Sequence, residues 1–356
     1  MNLGLIGVHA IRQHIDTVQK NMKTYSNFTE CYKDMLRLTL YESHHVCCPG
    51  DNRPAGRGGG QEIRERLCQG FVLSNPLDRL PFVPARDLSM SYAVAELLWY
   101  FSGSDLTEWI SYYAPFWRNI SDDGVTANSA YGARMFRTHH DRVHGDNLHP
   151  CESQWDRVVS ELRRDPESRR AVIQIRSAAD TWLANKDVPC TLALQFFLRD
   201  NKLHLVATMR SSDLILGIPY DVIAFTMFQE MMALELNVEL GTYMHVSNSM
   251  HIYQRDFEMV EKILNADNAA HVVPMPCMPS LPPTLVLGAI ETRLRQADSA
   301  QQITAHVDES KKVLNRYWAD WIAILASNKA SRLGLKTLQA SLMKSTTYSG
   351  YQQFTR

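Results

Sequence analysis

Cys190 stands in the run Val188-Pro189-Cys190, and a thiol in a cleft is a nucleophile once it is ionised. An arginine such as Arg210 is expected to supply the positive field that lowers its pKa. Arg210 and Ser211, with Arg169 and Arg170 of the Ser168-Arg169-Arg170 run, offer guanidinium forks and a hydroxyl suited to a dianionic phosphate. His251 and Tyr253 alternate, so on a strand both face one side. Together these residues describe a site for a nucleoside monophosphate beside a nucleophile. Read singly, each has an ordinary explanation: a helix-end charge pair, a buried cysteine, a His–Tyr pair satisfying itself, a turn glycine at Gly217 and an Asx turn at Asp213.

Two stretches rich in zinc-ligand types do not extend this list. His44, His45, Cys47 and Cys48, and then His139, His140, His144, His149 and Cys151, contain neither a C-x2-C nor an H-x3-H pair matched by a second pair. No metal is expected. Arg57-Gly58-Gly59-Gly60 offers a phosphate cradle but is not a P-loop, since no Gly-Lys-Ser/Thr follows.

The elements that must position these residues are legible in part. Residues 1–45 carry a mixed helical pattern with Ile11, Ile15, Val18 and Met22 on one face, and the segment from Cys47 to Arg66 reads as a long Gly/Pro/Arg loop. Met90 to Gly103 reads as a buried helix ending at a glycine. After Arg170 the pattern turns strand-like, with a hairpin signal at Asp200-Asn201. Residues 222–240 follow with helical period, and 242–253 with strand period. Prolines 274, 276, 279, 282 and 283 then introduce a tail in which Val313, Leu314, Tyr317, Trp318, Trp321, Ile324 and Leu325 form one amphipathic stripe that must dock on something. The reading is α+β, with a catalytic domain over 1–270, its first 45 or so residues a helical extension, and a Pro-rich connection and helical tail over 271–356.

With 356 residues, 45% hydrophobic and 21% charged, the chain excludes disordered, collagen-like and disulfide-stapled classes. A net charge of −1 builds in no global attraction to nucleic acid or anionic membrane. Neither is expected as a partner. Seven cysteines in a long chain and a first segment unlike a signal peptide lead to the expectation of a cytoplasmic protein.

The ordered set Asp165-Pro166-Glu167-Ser168-Arg169-Arg170, Pro189-Cys190, Met209-Arg210-Ser211-Ser212-Asp213 through Leu216-Gly217-Ile218-Pro219, and His251-Ile252-Tyr253 resembles the thymidylate synthase family over roughly residues 50–256. Upstream Glu96 in ELLWYFSG, then Trp117 and Tyr131, fall in the same order. The resemblance implies a thymidylate synthase-like fold, a mixed sheet packed by helices, with an extra C-terminal helical tail. It implies that Cys190 adds to C6 of a pyrimidine, that His251 and Tyr253 bind the sugar hydroxyl, and that Asp213 and Gly217 present backbone to the base. Glu96 takes the place of a proton-relay carboxylate, and Arg86, Trp117 and Asp213 fall at folate contacts. 5,10-Methylenetetrahydrofolate is the implied co-substrate. The Ser-Arg-Arg arginines reach the phosphate of a neighbouring subunit in that family, which implies a homodimer with shared sites, and a loop arginine, Arg57 in preference to Arg53, completes the phosphate site.

The chain departs from the thymidylate pattern at three positions. Asp221 stands where an asparagine reads uracil, Thr191 follows the cysteine where histidine is usual, and Met209 precedes Arg210 where glutamine is usual. A carboxylate accepts from the amino group of cytosine and, when protonated, also donates to N3. The Thr191 and Met209 features both resemble the phage deoxycytidylate hydroxymethylases of that family, and Asp221 points the same way. The expectation is 5-hydroxymethylation of dCMP, with Cys190, Glu96 and Asp221 as the catalytic set. The rivals are methylation of dCMP with release of dihydrofolate, 5-hydroxymethylation of CMP, a dUMP-using thymidylate synthase homologue, and an inactive nucleotide-binding protein.

Overall fold

A computed structural model describes residues 22–47, 61–137, 153–182, 186–266 and 273–354. From the first residue described the chain forms strand β1 (Met22–Tyr25), helix α1 (Phe28–Tyr41), β2 (His45–Cys47) and β3 (Ile63–Leu73). Helices α2 (Met90–Phe101), α3 (Thr107–Tyr113), α4 (Phe116–Ile120), α5 (Tyr131–Phe136) and α6 (Gln154–Arg164) follow. Then come β4 (Val172–Gln174), α7 (Ala179–Trp182), β5 (Thr191–Arg199), β6 (Lys202–Met209), β7 (Ser212–Asp213), α8 (Ile218–Leu236), β8 (Glu239–Tyr253) and α9 (Phe257–Asn265). The tail is α10 (Thr284–Gln296), α11 (Ala300–Val313), α12 (Arg316–Arg332) and α13 (Lys336–Lys344).

The strands form one mixed eight-stranded sheet in the order β1-β3-β8-β6-β5-β4, with β2 on β3 and β7 on β8. The β5–β6 hairpin turns at Asp200 and Asn201 with φ of 50° and 60°, the double left-handed conformation that a two-residue loop needs to follow strand twist. Because β5 runs antiparallel to β6 and β6 parallel to β8, the start of β5 and the ends of β6 and β8 meet at one end of the sheet. Helix α8 is apolar on nearly all sides and packs beneath, against β6 and β8. Its N-terminus opens at that same end. Helix α2 is buried over Met90–Tyr100, capped by the Ser89 hydroxyl accepting from the Tyr92 N–H, and Gly103 follows it with φ of 63°.

The structure corrects three expectations about the ends of the chain. Met22 opens a strand rather than ending a helix, because Met22–Tyr25 pairs in parallel with Gly70–Leu73, and residues 1–21 lie outside the described residues. The loop is shorter than read, since Cys47 closes β2 and Ile63 to Arg66 already belong to β3. The tail stripe is broken: Val313 ends α11 with its side chain 59% exposed and Leu314 turns extended, so the apolar face belongs to α12 alone.

That face docks on α2. Trp321 stacks on Phe101 with centroids 6.3 Å apart, and Asn328 Nδ2 donates to Ser91 Oγ at 3.0 Å. Tyr113 of α3 donates to Glu291 of α10 at 2.9 Å. The Pro-rich connection is fastened by a buried pair, Glu230 accepting from Arg79 at 2.7 Å and from the Met278 N–H at 2.6 Å. Gly132 is the other close contact that positions the site, for a Cβ there would lie 2.0 Å from the Tyr100 carbonyl oxygen. Gly132→Ala should therefore destabilise the protein by about 1–3 kcal/mol despite alanine's higher helix propensity, as read by denaturant unfolding. No helix among the described residues is long and apolar enough to cross a membrane.

Candidate active site

The convergent strand ends, the start of α8 and the α2–α4 helices enclose an open cavity of about 630 Å³. Cys190 enters it immediately before β5. Its backbone carbonyl accepts from the Arg210 N–H at 2.8 Å, which sets the thiol opposite that arginine. The Arg210 guanidinium is aimed by donating Nε to Pro189 O and Nη2 to Val188 O, both at 2.9 Å, and Nη2 lies 3.7 Å from Cys190 Sγ. Burial nonetheless pushes the thiol above its ordinary range, Arg210 only partly opposing it and Asp221, Asp187 and Asp213 adding to it. The expected lowering is absent because desolvation outweighs one guanidinium. The resting thiol is neutral and must lose its proton as it attacks.

Glu96 lines the opposite wall from α2, 7% exposed. Burial pushes its carboxyl up to about 7, while hydrogen bonds from Tyr92 and Tyr100 oppose the rise. Tyr92, one turn earlier on the same helix, donates to Glu96 Oε1 and accepts from Trp117 Nε1 at 3.2 Å. The Tyr92 ring packs edge-on to Tyr220 at 4.8 Å, and Tyr100 stacks on Tyr131 at 5.4 Å. Asp221 lies in the first turn of α8, where burial, Glu96 and Asp213 hold its carboxyl well above the usual carboxylate range. It faces the cavity as a neutral acid, with one donor and one acceptor.

Asp213 Oδ1 accepts from the Ile215 and Leu216 N–H groups at 2.7 and 3.1 Å, so its side chain makes the Asx turn that shapes the loop into α8. Gly217 ends that loop, and a Cβ there would come within 3.2 Å of Asp213 O and 3.3 Å of Asp221 Oδ2. On β8, His251 and Tyr253 both face the cavity with ring centroids 5.1 Å apart. Burial keeps His251 neutral, and its Nδ1 has no hydrogen-bond partner among the described residues.

The cavity wall thus gathers Cys190, Glu96, Asp221, Arg210, Ser211, Asp213, Gly217, His251, Tyr253, Trp117 and Tyr131. Arg86 is not on it. Its guanidinium is buried behind the wall, donating to Ile215 O at 2.9 Å, where it supports the Asp213 loop. Arg169 and Arg170 lie exposed before β4, away from the cavity, and Arg57 lies outside the described residues. Sequence reasoning missed Tyr92, Tyr220, Lys186 and Asp187. The i, i+4 spacing of Tyr92 to Glu96 was the one available signal. Asp187 accepts from the Ser129 N–H at 2.8 Å and ties the Tyr131 segment to the Cys190 segment.

Of the zinc-type stretches, Cys48 and the 139–151 cluster fall outside the described residues. Among the described residues no group of three or more His, Cys, Asp or Glu side chains is gathered for a metal ion.

Comparisons with known proteins agree with this architecture. Over 232 residues the chain is 31% identical to a deoxyuridylate hydroxymethyltransferase of Bacillus phage SP01, covering 64% of this chain and 58% of that protein. Over 203 residues it is 31% identical to a deoxyuridylate hydroxymethyltransferase of Pseudomonas phage M6, covering 56% of this chain and 54% of that one. The chain therefore spans little more than half the length of these curated relatives. Among solved structures, the thermostable thymidylate synthase A from Bacillus subtilis matches with a TM-score of 0.56 over 69% of this chain and 87% of that chain, at 19% identity, a likeness of fold. The family model described as thymidylate synthase matches residues 43–278, a span that holds every wall of the cavity, and the chain belongs to the thymidylate synthase family.

Proposed function

We propose that the protein transfers a one-carbon unit from 5,10-methylenetetrahydrofolate to C5 of a pyrimidine nucleoside monophosphate, and that the product is the 5-hydroxymethyl nucleotide, dCMP being the preferred substrate. The observation that carries the reading is Cys190 beside Arg210 in one cavity with two carboxyl groups, Glu96 and Asp221. The Cys190 thiol gives its proton to solvent as Sγ bonds to C6 of the ring, and the C5–C6 pair moves toward C4 and N3. Asp221 delivers its proton to N3 and, now ionised, accepts from both N3–H and the amino group. C5 becomes an enamine carbon, nucleophilic toward the one-carbon unit. The folate supplies that unit at the methylene oxidation level and departs as tetrahydrofolate. Glu96 in its ionised form takes the C5 proton and orders the water that adds to the exocyclic carbon, a role open to a carboxyl that titrates at about 7. Elimination of Cys190 from C6, with the N3 proton returned to Asp221 and the thiolate reprotonated from solvent, closes the cycle with no net oxidation.

The flat rings of Tyr92, Phe116, Trp117 and Tyr220 give the cavity a wall suited to stacking a pterin. His251 and Tyr253 suit the sugar 3′-hydroxyl, and the unpartnered Nδ1 leaves His251 capacity to bond. Among the described lining residues Arg210 is the only guanidinium and Lys186 the other cation, so the described residues of one chain offer a phosphate dianion a single guanidinium fork. This supports a homodimer in which Arg169 and Arg170 reach the partner's phosphate site, with Arg57 completing it.

Cytosine is preferred because its N3 is a far stronger base than O4 of uracil, so a carboxylic acid at 221 protonates it more readily. A second reading, dUMP, rests on the two phage relatives, both named for deoxyuridylate. A protonated acid also complements uracil with donor and acceptor exchanged. The test is product analysis by mass spectrometry with dCMP, CMP and dUMP, each with the folate, in water labelled with heavy oxygen. The expected result is a labelled hydroxymethyl group on dCMP without the absorbance rise of dihydrofolate. A methylated base with stoichiometric dihydrofolate would move the assignment to methyl transfer, and turnover of dUMP alone would establish the second reading. Asp221→Asn should lower kcat/KM for dCMP by about 10²-fold or more, because an amide cannot protonate N3. An unchanged dCMP rate would show that Asp221 neither reads nor protonates the base.

A further inference from the structure

Tyr92, Glu96 and Trp117 form a directed chain of hydrogen bonds inside the cavity wall. The Trp117 indole donates to the Tyr92 phenol at 3.2 Å, and the phenol donates to Glu96 Oε1. The three side chains are 6%, 8% and 7% exposed, in the order Trp117, Tyr92, Glu96, so water competes little for these bonds. Both donors are held from outside the cavity. The α2 turn that carries Tyr92 is anchored through Ser91 to Asn328 of α12, and α4, which carries Trp117, follows directly on α3, fixed by Tyr113 to Glu291.

We propose that Tyr92 is a positioning residue for Glu96: its phenol, aimed by the Trp117 indole, fixes one carboxyl oxygen so that the other is presented to the reacting carbon. This role rests on the reading of Glu96 as the proton-handling acid of the proposed reaction. A phenol that donates to a carboxyl stabilises its ionised form, so Tyr92 opposes the burial that raises the acid. Tyr92 keeps its own proton throughout, because burial and the neighbouring carboxylate push the phenol well above its ordinary range. The other titratable groups around Glu96 are Tyr100 on its own helix, Tyr131 on α5, and Tyr220 and Asp221 on α8. None of these is a cation, so no neighbouring positive charge substitutes for the phenol.

The test is the titration of Glu96 in the full chain, followed as the carboxyl band in infrared difference spectra against Glu96→Gln, in the Tyr92→Phe background. The midpoint should rise by about one pH unit. The alkaline movement should appear also in the kcat–pH profile, with kcat down about tenfold or more and KM for the nucleotide within about threefold. Trp117→Phe, which keeps a ring but removes the indole donor, should raise the midpoint by a smaller amount and serves if Tyr92→Phe does not fold. A midpoint that stays or falls in a folded variant overturns the proposal, whatever happens to the rate. Absence of turnover with every pyrimidine nucleotide would end the proposed function instead, and the infrared titration would still decide the Tyr92–Glu96 coupling.

Discussion

Cys190→Ala protein should lose turnover by at least about 10⁴-fold while binding the nucleotide within a few-fold of the native affinity. In the proposed reaction the thiol bonds to C6, whereas the phosphate and sugar are assigned to Arg210, Ser211, His251 and Tyr253, cavity residues that the substitution leaves in place. Binding measured by calorimetry and turnover by product release separate the two effects. Full activity in the purified variant would end the covalent mechanism. The same variant tests the shared sites. Mixed with Arg170→Ala chains, it forms heterodimers in which one site has both its cysteine and its partner's arginine, so roughly a quarter of the native activity should return at equal mixing. No recovery in verified heterodimers would leave each chain to complete its own phosphate site.

Glu96→Gln should cost about 10²–10⁴-fold in kcat, the usual contribution of a positioned acid or base, with a smaller effect on nucleotide KM. The same change should stabilise the fold at alkaline pH. In the unfolded chain the carboxyl titrates near its ordinary 4.5, and in the fold at about 7. Below the first value both states are neutral and the carboxyl contributes nothing to pH dependence. Between the two the folded chain holds a proton that the unfolded chain has lost, so stability falls as pH rises through this window. By pH 8 the native protein has forfeited about 2–3 kcal/mol that the glutamine variant retains. Denaturant midpoints of the two proteins should therefore converge near pH 4 and separate by pH 8 in favour of the variant. Equal midpoints at both pH values would show that Glu96 is not held neutral by burial.

How much of this was legible depended on whether chemistry or packing set the residue. Cys190, Arg210 and the His251–Tyr253 pair were singled out from residue type and order and Asp221 from the family resemblance, and all line one cavity because the β5–β6 turn and the α8 start are strongly encoded locally. Arg86 was misplaced because its role is set by the carbonyl of Ile215, a contact across the fold that no spacing announces. Tyr92 was passed over inside an apolar run where a tyrosine reads as core. The pKa of Cys190 was misjudged in sign because charge is visible in a sequence and desolvation is not. The tail stripe was drawn one turn too early, since Leu314 breaks the helix through its backbone and not through its composition.

The docking of α12 on α2 has a consequence for the order in which the protein is made. Ser91 and Asn328 are in contact yet stand 237 residues apart along the chain, and the face of α2 around Phe101 is completed by Trp321. Synthesis delivers the sheet, Cys190 and the His251–Tyr253 strand from the ribosome well before α12. Until α12 emerges, the helix that carries Glu96 has a bare apolar face and its Ser91 anchor has no Asn328, so the long-range closure that fixes it is paid for last. A nascent chain stalled just before α12 thus has Cys190 outside the ribosome while the helix that carries Glu96 still lacks its Trp321 and Asn328 contacts.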